Sequence, residues 1–294
     1  MQPLVWGASL IFGSELALVL SGIMIREVSD SLPTAQIVFL RNLLALLWLL
    51  PWILRHPRKL TPGQRLPIHL LRAALGVSAM SCLFYAWAHL PLAQAAMLKQ
   101  TAPFFLPFIA LWWLKERIRS SMLISIFLGF VGIACILQPE EGRWHTAVFI
   151  GLLGAFLAAT AKVSVRRLGA EESPQTIVVY FAILGSLFTA LPAAWHWVPI
   201  STTDGLWLLG IAGLSTLAQL LMTRAYTLAP AGQLAAFTYS SVVFAALIGA
   251  IVWDEQINAL TWIGMFIVCM AAALILYRRP SAAAVEPHRE SRSR

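Results

Sequence analysis

Apolar runs of about 20 residues recur along almost the whole chain and alternate with short polar connections. A helix of about that length crosses the roughly 30 Å hydrocarbon core of a bilayer, so each run predicts a membrane span. The connections are too short to fold as domains outside the membrane. The pattern therefore predicts ten transmembrane helices, at Leu4 to Met24, Ala35 to Leu54, His69 to Ala88, Leu92 to Leu114, Met122 to Leu137, Thr146 to Val165, Thr176 to Trp195, Gly205 to Tyr226, Gln233 to Trp253 and Ala259 to Tyr277.

The composition agrees with the bilayer as the solvent of this chain. Of its 294 residues, 59% are hydrophobic and 12% are charged, and the mean hydropathy is +0.77. A soluble globule has too little interior to hide so much apolar surface. The first residues show no basic region and no cleavage site, so the first run is interpreted as a retained span and not as a signal peptide. Cys82, Cys135 and Cys269 fall inside spans at unrelated spacings, which predicts packing roles and neither a disulfide, a metal site nor a cofactor.

Lysine and arginine residues are divided unequally between the two faces of the predicted bundle. With the N-terminus inside, the cytoplasmic face receives 17 of them and the opposite face receives Arg26 and Arg143. Because basic residues in short loops stay in the cytoplasm, we predict a multi-pass protein of the inner cell membrane with both termini cytoplasmic. The pI near 9.9 then reflects membrane anchoring and predicts no nucleic-acid partner. The 17 are Arg55, Arg58, Lys59, Arg65, Arg72, Lys115, Arg117, Arg119, Lys162, Arg166, Arg167, Arg224, Arg278, Arg279, Arg289, Arg292 and Arg294.

An internal repeat appears when the chain is aligned with itself so that Ala86 lies opposite Ala225. The stretch "AWAHLPLAQAAMLKQTAPFFLPFIALWWLKERI" then matches "AYTLAPAGQLAAFTYSSVVFAALIGAIVWDEQI" without a gap. The identical positions include the Pro-x-x-Gln entry and the Glu-x-Ile exit of a helix. With five spans in each half, the second half must enter the membrane in the opposite orientation, which is the inverted repeat of many secondary transporters. We predict repeats at residues 1–141 and 142–279, followed by a disordered, basic cytoplasmic tail at residues 280–294.

The chain resembles the ten-span EamA-type members of the drug/metabolite transporter superfamily. The resemblance covers about residues 4 to 277 and rests on the two-repeat layout, on "FLRNLLALL" in the second span, and on "FYAWAHLPLAQAAMLKQTAPFFLPFIALWWLKERI" with its counterpart "RAYTLAPAGQLAAFTY…WDEQI". The second half departs from the first by carrying Val242 where Pro103 stands. The resemblance implies secondary transport of a small organic molecule, often export, by alternating access.

Lys99, Pro103 and Pro107 are spaced four apart and so lie along one stripe of the fourth predicted helix. Proline has no amide hydrogen, so Pro103 leaves the carbonyl of Lys99 without its usual partner. Exposed backbone groups are tolerated in a membrane only against protein or a wet cavity, which favours a kinked helix that lines a substrate cavity. The alternative is a lysine that extends toward the outer interface. The repeat counterpart Thr238 and its neighbour Tyr239 are predicted to supply hydroxyl groups to the same cavity, and Tyr85 is a further candidate for its lining.

Arg41 and Glu15 are the other ionisable residues well inside predicted spans. Arg41 and Lys99 lie at a similar depth, which predicts a site for a carboxylate, phosphate or other anionic group; the alternative is a structural arginine bonded to helix ends or to Glu15. Glu15 is a candidate proton-coupling residue, because burial favours the neutral form of a carboxyl group. A permanent ion pair with Arg41 or Lys99 is its alternative.

Other functions find less support in the sequence. An intramembrane enzyme needs converging catalytic or metal-binding groups, and the acidic pairs and histidines lie apart in loops, boundaries and the tail. A passive channel or facilitator is the nearer alternative, although the sequence has no filter-like loop. We therefore predict no enzyme but a transporter, an exporter of an amino acid or another carboxylate-bearing or anionic metabolite. Protons are its candidate coupling ion, and it is either a monomer or a homodimer.

Overall fold

The computed structural model describes residues 2–57, 65–102, 104–105, 109, 124, 127–129, 131–132, 135, 146–168, 172–228, 237–238, 240–254 and 258–277. Within these residues the regular structure is helical and no β-strand is present. The predictions for Pro103, Pro107, Tyr239 and the tail fall outside them. The helices are α1 (Gln2–Val28), α2 (Thr34–Arg55), α3 (Leu66–His89), α4 (Leu92–Lys99), α5 (Thr146–Leu168), α6 (Pro174–Trp195), α7 (Thr202–Leu228), α8 (Ser240–Trp253) and α9 (Ala259–Tyr277).

Five of these helices, α1, α2, α3, α6 and α7, are long and apolar enough to cross a membrane, and α5, α8 and α9 contain shorter apolar stretches. The predicted all-helical class is therefore confirmed. The number of ten spans stays a prediction, because most of the predicted span from Met122 to Leu137 lies outside the described part of the chain. Helix α1 continues past its predicted end at Met24 to Val28, since a helix need not stop where its hydropathy falls.

Prolines mark the beginnings of several helices. Helix α2 follows Pro33, α4 follows Pro91, and α6 has Pro174 in its first turn, where the missing amide hydrogen has no intrahelical partner in any case. At α6 the side chain of Ser173 also caps the helix by accepting a hydrogen bond from the amide of Thr176 at 3.3 Å. These turns set where each helix enters the bundle.

Helix contacts between the two halves of the chain come in matched pairs. Helix α1 packs on α7 and α3 on α5, while α2 packs on α6 and α4 on α8. In the repeat alignment, α5 to α8 are the counterparts of α1 to α4. The α1–α7 contact is therefore equivalent to the α5–α3 contact, and the α2–α6 and α4–α8 contacts each join a helix to its own counterpart. An internal twofold relation produces this self-complementary pattern.

The contacts between α1 and α7 show that the paired helices are antiparallel. Ser14 bonds to the carbonyl of Ala218, Ser21 to Ser215, and Ser31 to Asp204, so position numbers rise along α1 as they fall along α7. In a repeat of unchanged orientation, the first helix of one half would run parallel to the third helix of the other. The antiparallel contact is the relation that an inverted repeat requires.

The alignment of the two repeats also holds for individual contacts. The rings of Phe12 and Phe237 lie 5.8 Å apart, centroid to centroid, between α1 and the segment before α8. Their counterparts in the alignment, Gly151 and Leu98, meet between α5 and α4, where a Cβ added to the glycine would lie 2.7 Å from a Leu98 methyl carbon. The repeat seen in the sequence is thus preserved in the packing, with different side chains at equivalent places.

Large apolar side chains on the outside of the bundle remain exposed. Leu47, Trp48, Leu191, Ile251 and Phe266 each have at least half of their surface uncovered. In water such a surface would favour association, whereas in a bilayer it contacts lipid tails. The polar groups described next lie inside this apolar shell.

Candidate functional site

A buried ion pair connects α1 to the last residue of α4. Nζ of Lys99 lies 2.6 Å from Oε2 of Glu15. The Glu15 side chain is 3% exposed and the Lys99 side chain 20% exposed, so the lysine end of the pair is the more accessible. Beside the pair, the hydroxyl of Ser14 donates to the carbonyl of Ala218 and holds α1 against α7 at this level. Each charge gives the other the partner that an ion needs inside a membrane protein.

Helix α4 ends at Lys99, although the sequence predicted one span from Leu92 to Leu114. The backbone turns at Gln100 and Thr101, and both the amide and the hydroxyl of Thr101 bond to the carbonyl of Leu98, at 3.1 and 2.7 Å. A proline at position 103 has no amide hydrogen to offer the carbonyl of Lys99, so the break has the physical cause from which a kink was predicted. The kink predicted in this span corresponds to the end of the regular helix at Lys99. The break places the ammonium group at a turn of the backbone.

Gln100 ties this turn to the equivalent segment of the second repeat. Its side-chain amide donates to the carbonyl of Thr238 at 2.7 Å and to the hydroxyl of Ser241 at 2.8 Å, and Gln100 is 4% exposed. Thr238 is the counterpart of Lys99 in the repeat alignment, and α8 begins just beyond it, at Ser240. The fourth helices of the two repeats therefore meet at their equivalent positions, joined by buried hydrogen bonds.

Arg41 lies in a different environment from the ion pair. It is 2% exposed, and its Nη1 donates to Oδ1 of Asn42 at 2.8 Å. Its Nε is buried and has no hydrogen-bond partner among the described residues. No described contact joins Arg41 to Lys99, whose partner is Glu15. The predicted cluster of Arg41 and Lys99 is therefore not formed as a direct contact.

Two of the other predicted site residues fall within the described part of the chain. Thr238 contacts Gln100 through its carbonyl and, at 3.4 Å, through its hydroxyl, so it lies at the crossing of the two repeats. Tyr85 stacks on His89 with ring centroids 4.0 Å apart, near the end of α3. Pro103 and Tyr239, the remaining two, lie outside the described residues.

Several polar residues of the interior were not predicted from the sequence. Gln100 and Asn42 adjoin residues that were predicted, and polarity within an apolar run was the available signal. Arg72 was counted as a cytoplasmic basic residue, yet two of its guanidinium nitrogens are buried. His69, taken as a boundary residue, is 3% exposed, lies 2.8 Å from Glu172 and stacks on Tyr180. Neighbouring helices bury these residues, and contacts with other helices cannot be predicted from the hydropathy of a single helix.

The part of the chain that the structure describes contains no group of three or more His, Cys, Asp or Glu side chains placed to hold a metal ion. Cys82, Cys135 and Cys269 are cysteines without a disulfide, each partly buried. Ion pairing and hydrogen bonding are thus the chemistry that the described interior offers to a ligand.

Two helical repeats in antiparallel contact, with ionised side chains buried between their helices, define a membrane transport protein built on paired repeats. Comparison with known families identifies the group within that class. The model of the EamA-like transporter family matches the chain twice, at residues 5–138 and 145–277, so the chain belongs to this family. The resemblance recognised from the sequence motifs is therefore confirmed.

Characterised relatives cover most of the chain. The pseudopaline exporter CntI of Pseudomonas aeruginosa is 33% identical over 251 residues, which are 84% of this chain and 88% of that protein. A riboflavin transporter of Vibrio cholerae is 27% identical over 278 residues, covering 94% and 93% of the two chains. A solved crystal structure shares the fold with a TM-score of 0.63 at 15% identity, over 93% of this chain and 96% of that chain. The family and these relatives are named as transporters, which makes this chain a multi-pass membrane transporter of the drug/metabolite type.

Proposed function

We propose that this protein is a secondary transporter that exports a small metabolite carrying a carboxylate or another anionic group, by alternating access and with proton coupling at Glu15. The observation that carries the proposal is the Glu15–Lys99 ion pair at the break of α4. A buried pair of opposite charges has two states, closed when both are ionised and open when the carboxyl group takes up a proton. A proton can therefore change the contacts of Lys99.

The antiparallel repeats support alternating access. Two halves that are related by inversion offer nearly equivalent contacts when they rock one way or the other, so two arrangements of similar energy are available. The crossing at Gln100 and Thr238 lies where the halves meet. We propose that movement about this crossing exposes the interior to one side of the membrane at a time.

Direction and location follow from the charge distribution and the relatives. The excess of lysine and arginine on one face supports an inner-membrane protein with cytoplasmic termini. The relative named as an exporter aligns over most of its length and supports export. The substrate is proposed as anionic because the described interior holds guanidinium nitrogens without partners, while its buried carboxylate, Glu15, is already paired.

Proteoliposomes loaded with a soluble metabolite extract provide the test. With an inward-directed proton gradient, we expect one or a few anionic metabolites to leave the lumen selectively and with saturable kinetics. Mass spectrometry identifies them by comparison with liposomes that contain no protein. The compound so identified should then accumulate by counterflow. Flux that does not saturate and shows no counterflow would indicate a channel, and a chemically altered product would indicate an enzyme; either result overturns the proposal.

The role of Glu15 needs a matched pair of variants. Glu15→Gln alone leaves Lys99 without its counter-ion, so its loss of activity is ambiguous. The double variant Glu15→Gln with Lys99→Met carries neither charge of the pair and is the control for folding. We expect the double variant to fold but to lose the dependence of transport on the pH gradient; gradient-driven transport equal to the wild type would remove the coupling role.

A further inference from the structure

The interior contains a second charged centre that no described carboxylate balances. Arg41 on α2 and Arg72 on α3 both face the ring of Phe181 on α6, with guanidinium carbons 5.9 and 4.4 Å from the ring centroid. Nε of Arg41 and both Nε and Nη1 of Arg72 are buried and have no hydrogen-bond partner among the described residues. Three donor nitrogens of two cations are thus left unused around one aromatic ring.

The acidic residues of the described interior are engaged elsewhere. Glu15 pairs with Lys99 and Glu172 with His69. An arginine cannot relieve its burial by releasing its proton, so both guanidinium groups stay charged. Two like charges at one site repel each other, and stacking on an aromatic face compensates only in part. Within the described part of the chain, this centre has no counter-ion.

The surroundings of the two arginines are rigidly built. Asn42 donates through its side-chain amide to the carbonyl of Val38 at 2.9 Å, which turns its oxygen toward Arg41. Phe181 packs against Gly76, where an added Cβ would lie 2.7 Å from the ring. The ring that both arginines face and the hydrogen-bond partner of Arg41 are thus fixed by their own contacts, which lowers the ordering cost that opposes binding.

We infer that Arg41 and Arg72 form an anion-binding site, distinct from the Glu15–Lys99 pair, which receives the carboxylate or phosphate group of the transported metabolite. Carboxylate and phosphate oxygens match the planar, forked donors of arginine, and a doubly charged anion would balance both cations. The identification of the anion with the substrate rests on the proposed function; the anion site itself does not. The charges of Glu15 and Lys99 already balance each other, so this pair is not needed to bind the anion and serves proton coupling instead.

Thermal unfolding of the purified protein in detergent tests the site directly. Sodium malonate and inorganic phosphate are the probes, compared with sodium chloride at equal ionic strength. A ligand that binds the folded state stabilises it, so we expect a higher melting temperature with either probe than with chloride. The difference should vanish in Arg72→Met and persist in Arg55→Gln, which removes an exposed arginine of α2. A probe effect that persists in Arg72→Met, or that chloride reproduces in the wild type, would overturn the inference.

Folding of the variant has its own expected result. Arg72 makes no hydrogen bond with the described residues, so Arg72→Met removes repulsion and keeps most of the packing volume. Without added anion it should melt at the same temperature as the wild type or above it. A lower melting temperature would show that Arg72 is a structural residue whose charge is already satisfied, and would count against the site.

Two further experiments distinguish a lipid headgroup from a soluble metabolite as the bound anion, and the anion site from the proposed transport function. Stabilisation by phosphatidylglycerol in nanodiscs, with none by malonate or phosphate, would assign the arginines to a lipid headgroup and overturn a metabolite site. In transport, Arg72→Met should raise the KM for the exported anion by roughly tenfold or more. An unchanged KM would overturn the inference while leaving the transporter proposal intact, whereas export of an uncharged molecule would overturn the proposed substrate class while the anion site stands on its melting data.

Discussion

The two repeats place different chemistry at equivalent positions. The first repeat carries Glu15 and Lys99, while the aligned positions of the second repeat hold Gly154 and Thr238. Glu15 makes an ion pair across α1 and α4, whereas Gly154 brings α5 so close to α3 that an added Cβ would lie 2.8 Å from the Cβ of Cys82. One repeat thus contributes the charges and its counterpart contributes close helix contact.

This difference teaches how an inverted repeat can be both symmetric and functional. In the proposed alternating access, the two arrangements have comparable energy because the backbones of the repeats are alike. The chemistry of coupling needs only one copy of each ionisable group, because every further buried charge adds a desolvation cost. Four substitutions test whether the first repeat is stabilised by its ion pair and the second by close helix contact; they are ordered from the largest expected effect to the smallest.

Glu15→Gln should have the largest effect on stability. It leaves the Lys99 ammonium group without its partner at 2.6 Å, and breaking a buried pair costs about 3–5 kcal/mol. Equilibrium unfolding in mixed micelles measures the change in the free energy of unfolding. The double variant with Lys99→Met should recover most of the loss; if both variants lose the same amount relative to the wild type, the unpaired charge of Lys99 is not the cause of the loss.

Gly154→Ala should have the second-largest effect on stability, because it disrupts the close helix contact at the position equivalent to Glu15. The new methyl group would meet the Cβ of Cys82 at 2.8 Å and the carbonyl oxygen of Ala79 at 3.2 Å. Overpacking of this kind costs about 1–3 kcal/mol. Gly205→Ala is the matched control, since nothing lies within 4 Å of a Cβ added there. Equal unfolding of the two variants would contradict the close contact.

Gln100→Leu should have an intermediate effect. It removes the three hydrogen bonds that join Gln100 to Thr238 and Ser241, while Ser241 still donates to the Thr238 carbonyl at 3.0 Å. Hydrogen bonds between helices in membranes contribute about 1–2 kcal/mol in model peptides. The same unfolding assay should show a loss in that range. A neutral result would mean that the crossing is held by apolar packing alone.

Ser14→Ala should have the smallest effect. It deletes only the hydroxyl that donates to the Ala218 carbonyl at 2.8 Å, for which about 0.6 kcal/mol is expected. The alanine fits the same space, so no steric cost is added. Cross-linking between α1 and α7 should be unchanged in this variant; a loss of stability comparable with that of Gly154→Ala would show that the serine does more than hold the helices together.

Hydropathy predicts most of the fold because a membrane helix must be apolar over its whole length. Apart from α4, the described helices lie within or close to the predicted spans, and the offset of the repeat alignment relates the Phe12–Phe237 contact to the Gly151–Leu98 contact. The end of α4 at Lys99 was predicted only as a kink. The sequence shows that Pro103 lacks an amide hydrogen, whereas the partners of Gln100 lie in the other repeat and could not be identified from the chain around it.

The sequence identified the site residues better than their contacts, and it offered the ion pair of Glu15 with Lys99 only as one of two alternatives to a proton-coupling role. Glu15, Arg41 and Lys99 stand out because ionisable groups are rare in apolar runs. Depth along each helix placed Arg41 level with Lys99, but the neighbour of a side chain also depends on how each helix is rotated about its axis. That rotation sets Lys99 beside Glu15 and turns both Arg41 and Arg72 toward Phe181.

The Glu15–Lys99 pair also bears on how membrane voltage acts on this protein. An ionised glutamate beside an ionised lysine has no net charge, so an electric field does no net work on the pair when it moves in its unprotonated state. An arginine without a counter-ion responds by about 2.3 kcal/mol for each 100 mV that it crosses. The transmembrane potential should therefore act through Arg41 and Arg72, and a doubly charged anion bound between them would make the loaded carrier electrically silent.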